Sequence, residues 1–249
     1  MSSTIFFPAG RPRAWDRLIF PVFLALIWFG ILIGFVPRIV AKVQAGSFHY
    51  PLIVHVHAAA FVGWLVLLTA QMVLINQKNF ALHKRIGLFG TGLAGMMLVL
   101  GLAASIVVDR LHFGQPNVDP PAFLIIQLTD LINFGVLAAA GFLMRNDRAA
   151  HKRLILLATI FISDAGWGRW LGDTMESAFG TGFLGEWMAV YVGDFVLVAL
   201  FAAADVIAHR RLNPAFVKGA GFGLSLQLIA IYLFVSPWWG VVATRLIGY

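Results

Sequence analysis

Seven long runs of apolar residues, separated by short polar turns, dominate the pattern of this chain. Each run approaches or exceeds the ~20 mostly apolar residues that a helix needs to cross a bilayer. The pattern therefore predicts an all-α, seven-helix membrane bundle that forms one domain over residues 1–249. The predicted spans are Leu18–Val36, Pro51–Ile75, Ile86–Val108, Ala122–Met144, Leu154–Leu171, Gly185–Ile207 and Ala220–Ile247.

Two of these runs are irregular. The fifth is the shortest and most polar, so its ends are the least sharply defined. Pro237 interrupts the seventh run, and because proline removes a helical hydrogen bond, a kink is expected near Ser236.

The composition agrees with a membrane location. Hydrophobic residues make up 60% and charged residues 12% of the chain, whereas soluble domains average about 45–50% and 25%. The net charge of +7 is not carried by a soluble basic domain, so we do not expect nucleic acid as a partner. The expected partner is the lipid bilayer. The chain has no cysteine, which excludes disulfides, thiolate ligands and cysteine nucleophiles.

The lysines and arginines predict the orientation. Thirteen of the eighteen lie on the side of the N-terminus, and basic residues favour the cytoplasmic face. We therefore expect a multi-pass protein of the bacterial inner membrane with a cytoplasmic N-terminus and a periplasmic C-terminus. The thirteen are Arg11, Arg13, Arg17, Lys78, Lys84, Arg85, Arg145, Arg148, Lys152, Arg153, Arg210, Arg211 and Lys218, and the other five are Arg38, Lys42, Arg110, Arg169 and Arg245.

A basic motif recurs in three of the predicted cytoplasmic turns. It reads His83-Lys84-Arg85-Ile86, His151-Lys152-Arg153-Leu154 and His209-Arg210-Arg211-Leu212. Anchoring of helix ends at the headgroups is the favoured interpretation, and binding of a phosphate-bearing ligand or anionic lipid is the alternative.

Pairs of glycines four residues apart favour close helix contacts. They are Gly30/Gly34, Gly168/Gly172 and Gly219/Gly223. Packing within one chain is favoured over a dimer interface.

Ionisable residues within the spans gather at one depth. At about 1.5 Å per residue, His57, Asp130, Asp164 and Asp194 lie roughly 9–14 Å below the predicted outer ends of their spans. Such residues are costly in a membrane and usually functional. Arg169 follows Asp164 at a depth suited to a counter-charge.

These residue types suit a divalent metal ion. We predict His57, Asp130, Asp164 and Asp194 as metal ligands, and His57, Asp164 and Arg169 as the catalytic residues of a redox or hydrolytic reaction. Two alternatives stay open, namely a proton-coupled transporter of a small solute and a non-catalytic accessory subunit of a larger membrane complex.

Part of the chain resembles an uncharacterised family of bacterial multi-pass membrane proteins. The similarity rests on His55-Val-His57, Gly63-Trp64, Gln71 and the turns at residues 83–87 and 151–154, and it covers about residues 50–170. It implies an inner-membrane location and adds weight to His57 and His83, but it carries no activity.

A looser similarity links the chain to b-type haem membrane proteins, which hold haem between histidines on different helices. In that interpretation His55 and His112 are the cofactor-binding residues, and His112 is the partner that His57 needs. Haem b is less favoured here than a simple metal ion.

Overall fold

The computed structural model describes residues 12–113 and 120–249, with side chains from Leu18 onward. The cations Arg11, Arg13 and Arg17, used above for orientation, lie outside these described side chains. The described residues form nine helices and no strand. The helices are α1 (Pro12–Gln44), α2 (Leu52–Asn76), α3 (Phe80–Phe113), α4 (Leu124–Leu143), α5 (Arg148–Ile160), α6 (Asp164–Phe179), α7 (Phe183–His209), α8 (Pro214–Phe234) and α9 (Pro237–Leu246).

The prediction of an all-α polytopic membrane protein is confirmed. Within the described ranges six helices are long and apolar enough to cross a membrane, and α5 with α6 makes a seventh crossing if the bent pair is one span. Large apolar side chains cover the outside of the bundle, among them Leu88 at 77% and Leu143 at 78% exposure. A surface of this kind is stable against lipid rather than water.

The turns divide between the two ends of the bundle. We call the end with the turns at residues 77–79, 144–147 and 210–213 the basic end, because arginines and lysines cluster there. The end with the turns at 45–51 and 180–182 is the opposite end. Which end faces the cytoplasm stays a prediction.

The fifth span differs from the single helix predicted over Leu154–Leu171. It breaks after Ile160 and resumes at Asp164, with a bend of 46°. No proline is present. Instead, the Ser163 hydroxyl donates to the Ile160 carbonyl at 2.8 Å, and such a side-chain bond competes with the helical ladder.

The seventh span is also divided. Helix α8 ends at Phe234 and α9 begins at Pro237, the first residue of its first turn, after Ser236 in an extended conformation. This is the position of the predicted kink, since the residue before proline avoids the helical region.

Glycines bring α6 into backbone contact with α1. A Cβ on Gly34 would lie 2.1 Å from the Gly166 carbonyl oxygen, so neither helix has room for a side chain there. The Trp167 indole fills the space against Gly30 of α1 and Gly193 of α7, where a Cβ would lie 2.4 and 2.2 Å from its ring. The α6 backbone is therefore held tightly just after the break.

The other glycine pairs also make contacts within the chain. Gly168 and Gly172 face the Ala189 carbonyl of α7. Gly219 faces leucines of α4 and α5, and Gly223 faces the Phe161 ring. All three predicted glycine pairs thus serve packing inside this chain.

Candidate functional site: a buried aspartate triad

Three aspartates from three helices meet inside the bundle. Asp130 comes from α4, Asp164 is the first residue of α6, and Asp194 comes from α7. Asp164 is 4% exposed and Asp194 is fully buried. We call these residues the aspartate triad. Their convergence follows from helix packing. Helix α6 lies directly against α7, and α4 lies against α5, the segment that comes before α6 in the fifth span.

The closest contact in the triad joins two acids. The Asp130 and Asp164 carboxyl groups lie within hydrogen-bonding reach of each other, and Asp194 is close enough for its charge to act on Asp130. An ionised carboxylate only accepts hydrogen bonds. A hydrogen bond between the two groups therefore requires a proton on one of them, and this close pair of acids is suited to share one.

Asp194 has neutral partners. The Gln227 Nε2 of α8 donates to its Oδ2 at 2.9 Å, and the Ser163 hydroxyl lies 3.5 Å from its Oδ1. Gln227 and Ser163 are both buried. These contacts connect the triad to the break in the fifth span, since Ser163 also bonds the last turn of α5.

Tyr191 is a member of the site that sequence reasoning missed. It is fully buried and lies beside Asp130 and Thr129. Its hydroxyl lies within hydrogen-bonding reach of the Asp130 carboxyl group and of Thr129, although neither contact has regular hydrogen-bond geometry. The spacing held a signal, because Tyr191 lies three residues before Asp194 on the same helix face.

Arg169 lies near the triad without binding it directly. Its charge acts on Asp164, but its guanidinium donates to the Ala165 carbonyl at 2.5 Å and packs over the Phe35 ring, 4.4 Å from the centroid. The predicted counter-charge is thus present at longer range. No cation is in direct contact with the triad among the described side chains.

The contacts of the predicted histidine His57 involve other residues than the triad. His57 packs against Phe61 with ring centroids 4.3 Å apart, and its Nδ1 has no partner in the described structure. His57 is not among the groups whose charges act on the triad. The prediction used only the depth of His57 and the three aspartates in the membrane. Depth alone does not say on which side of the bundle a residue lies.

The two histidines predicted to bind a cofactor are both exposed near the opposite end. The His55 ring lies against Phe48 with centroids 5.7 Å apart, and the His112 Nδ1 is 2.9 Å from the Val108 carbonyl of its own helix. These contacts do not place either ring opposite His57.

The described residues contain no group of three or more histidine, aspartate or glutamate side chains arranged to hold a metal ion. The four predicted metal ligands are therefore not seen as a metal-binding group, and the catalytic roles predicted for His57, Asp164 and Arg169 stay predictions. The metal-ion and haem hypotheses gain no support from this arrangement.

The basic motifs have structural partners. The His151 Nδ1 is 2.7 Å from the Gly141 carbonyl, and Gln71 Nε2 donates to the His83 carbonyl at 3.2 Å. Arg153 is buried and makes a two-pronged ion pair with Asp205. At this turn the motif reaches into the bundle, rather than only towards headgroups as the anchoring interpretation expected.

An apolar layer lies between the triad and the basic end. On α7 the buried residues between Asp194 and Asp205 are Leu197, Val198 and Phe201. Phe201 packs on Phe23 and Phe216, with centroid distances of 5.0 and 5.1 Å. We define the apolar layer as Leu157, Phe161, Leu197, Phe201 and Phe216, all of them buried. None of these five side chains carries a hydrogen-bonding group.

Comparisons of the chain with protein-family models, curated proteins and solved structures find no match. The site must therefore be interpreted from its own chemistry. The family resemblance stated from the sequence motifs stays a prediction.

Proposed function

We propose that this protein is a proton-coupled membrane transporter of a small solute, and that the aspartate triad is its proton-binding site. The observation that carries this proposal is the close approach of the Asp130 and Asp164 carboxyl groups, with Asp164 and the Asp130 Oδ1 buried and no cation in contact among the described side chains. Two such groups favour a shared proton, because like charges disfavour ionisation of both. Gain or loss of that proton changes the charge inside the bundle by one unit.

The break in the fifth span supports coupling to movement. Interrupted helices in transporters place ion-binding groups at a break near the bilayer centre, where one segment can rearrange against another. Here Asp164 starts α6, and Ser163 connects the break to Asp194. A change in the charge of the triad acts directly on the residues that separate α5 from α6.

The apolar layer fits the same mechanism. A transporter must keep its site closed to one side while it is open to the other, and a continuous polar path would allow protons to leak. The apolar layer places five buried apolar side chains between the triad and the basic end, as a state closed on that side requires. Transport requires a second conformation in which the break has shifted and this layer has opened.

Charge movement after a pH jump tests the proposal. Purified protein in proteoliposomes is adsorbed to a solid-supported membrane, and the pH outside is changed rapidly. Proton binding to a buried site moves charge through part of the membrane, so the wild type gives a transient current. Asp130→Asn and Asp164→Asn are expected to lose most of it.

The matched control is Asp173→Asn. Asp173 lies on the same helix as Asp164 but is exposed, so its loss leaves the transient current unchanged. Variants of the triad that fold normally and retain the full current would contradict the proposal. Together with co-purification of other membrane proteins, that result would favour the accessory-subunit alternative.

A further inference from the structure

Two polar helix faces lead from the opposite end of the bundle to the aspartate triad. On α4, Gln127 and Asp130 are three residues apart. On α7, Trp187, Tyr191 and Asp194 follow at spacings of four and three. Residues spaced in this way share one side of a helix. Asp130 lies beside Tyr191, so the two faces meet at the triad.

Both faces carry buried polar atoms without a partner in the described structure. They are the Gln127 Oε1 and Asp130 Oδ1 of α4, and the Trp187 Nε1 and Tyr191 hydroxyl of α7. Buried polar groups in folded proteins are almost always satisfied, by ordered water where no protein group is available. The Gln127 Oε1 and Trp187 Nε1, together with the adjacent Tyr191 hydroxyl and Asp130 carboxyl group, therefore indicate water along these two helix faces.

The direction of this line is set by the helices. Gln127 lies in the first turn of α4 and Trp187 in the second turn of α7, and both turns are at the opposite end. On α3, Asp109 Oδ2 is another buried unpartnered atom near that end. Beyond the triad in the other direction, the apolar layer follows. In that direction the buried Asn133 of α4 also donates to the Gly223 carbonyl at 3.4 Å, and its Oδ1 has no partner in the described structure.

We infer that a narrow water-filled path between α4 and α7 connects the aspartate triad to the opposite end, and that hydrated protons reach the triad by this path. The proton part of this inference rests on the proposed function. Gln127 and Trp187 line the entrance, and Tyr191 lies between them and Asp130. In the conformation described, the triad exchanges protons with the opposite end and not with the basic end.

Cysteine labelling tests the path. The chain contains no cysteine, so each single-cysteine variant reports on one position. Gln127→Cys and Trp187→Cys provide two independent probes of the entrance, and Leu197→Cys in the apolar layer is the matched buried control. Asn146→Cys and Ser177→Cys, exposed at the basic and opposite ends respectively, give the sidedness of the vesicles.

A small, charged, membrane-impermeant thiol reagent is added from one side at a time. Thiolate, which needs water to form, is the reacting species, so we expect entrance cysteines to react on the order of tenfold faster than Leu197→Cys. The reaction should occur only from the side that labels Ser177→Cys. Failure of both entrance cysteines to react, or equal reaction from the side that labels Asn146→Cys, would overturn the path.

The functional arm uses Gln127→Leu, which removes the polar entrance but keeps the triad. We expect a pH-jump current of near wild-type total charge whose rise is slower by on the order of tenfold. An unchanged rise would contradict the path as the proton route. If the wild type gives no current while the entrance cysteines still react, the path stands and the proposed transport function fails.

Discussion

Two buried acidic sites in this protein differ in their partners. Near the basic end, Asp205 receives both prongs of the Arg153 guanidinium, lies 3.1 Å from the His209 Nδ1, and accepts the backbone N–H of Asn213 at 3.4 Å. In the aspartate triad, by contrast, no described cation is in contact. Its three members contact neutral groups and one another. Asp205 is thus paired with a cation, whereas the three acids of the triad are not.

The difference in partners distinguishes a site that stabilises the fold from a site that can exchange protons. The Asp205 carboxyl group, with an arginine and further donors, connects α5, α7 and the turn before α8, so it stabilises one arrangement of helices. Buried acids without a cation need protons, and proton gain or loss changes their mutual contacts. We therefore expect substitutions at the first site to affect stability and substitutions at the triad to affect proton-linked charge movement.

The largest effect on stability is expected for Arg153→Met. It leaves Asp205 buried without its arginine, and loss of one member of a buried ion pair costs about 3–5 kcal/mol. Unfolding by denaturant in detergent micelles measures the change in free energy. Arg148→Met, at the exposed first position of the same helix, is the control.

The double variant Arg153→Met/Asp205→Leu sharpens this test. Replacement of both partners removes the unpaired charge, so much of the lost stability should return. A double variant no more stable than the single one would show that the ion pair is not the reason for the loss.

A smaller loss of stability is expected where α6 meets α1. Gly166→Ala adds a Cβ 2.5 Å from the Gly30 carbonyl oxygen, and overpacking of this kind costs typically about 1–3 kcal/mol. The control is Gly63→Ala, because nothing lies within 4 Å of a Cβ at that helical position. Equal unfolding free energies for the two alanine variants would rule out a tight α1–α6 contact.

Thr159→Val tests a polar contact outside both sites. The Trp64 indole donates to the Thr159 hydroxyl at 3.1 Å in the core, and loss of one such bond costs about 1 kcal/mol. The pH-jump current should keep its wild-type size. A loss of current in this variant would mean that any weakening of the core abolishes charge movement.

The smallest effect on stability is expected for Asp194→Asn. The amide keeps an oxygen that accepts from Gln227, so the free energy of unfolding should change by less than about 1 kcal/mol. The current after a pH jump should nevertheless fall, because a titratable group is lost. A large loss of stability with an unchanged current would remove the distinction between the triad and the Asp205 site.

Much of the fold could be predicted from the sequence, because span length and apolarity are local properties. The kink before Pro237 was predictable for the same reason. The break at Ser163 was not predictable, since serine is common in unbroken helices. Its effect here depends on its hydrogen bond to the Ile160 carbonyl and on its contact with Asp194 of α7. The unusual polarity of the fifth run was the available signal.

The candidate site was predicted in part. Depth along the membrane placed Asp130, Asp164 and Asp194 in one layer, and the structure brings them together. The same argument included His57, which packs against Phe61 instead, because depth says nothing about the side of the helix that a residue occupies. Tyr191 and Gln227 were missed as members since neither is ionised, and Arg153 was assigned to the surface since its motif looks exposed.

The central claim is that the aspartate triad holds and releases a proton, and infrared difference spectroscopy tests it most directly. A protonated carboxyl group gives a C=O stretching band that an ionised carboxylate lacks. We predict such a band in the wild type, losing intensity as the pH is raised, and strongly reduced in Asp130→Asn and Asp164→Asn but not in Asp173→Asn. A wild-type spectrum without a carboxylic acid band, or one that the triad variants leave unchanged, would contradict the account.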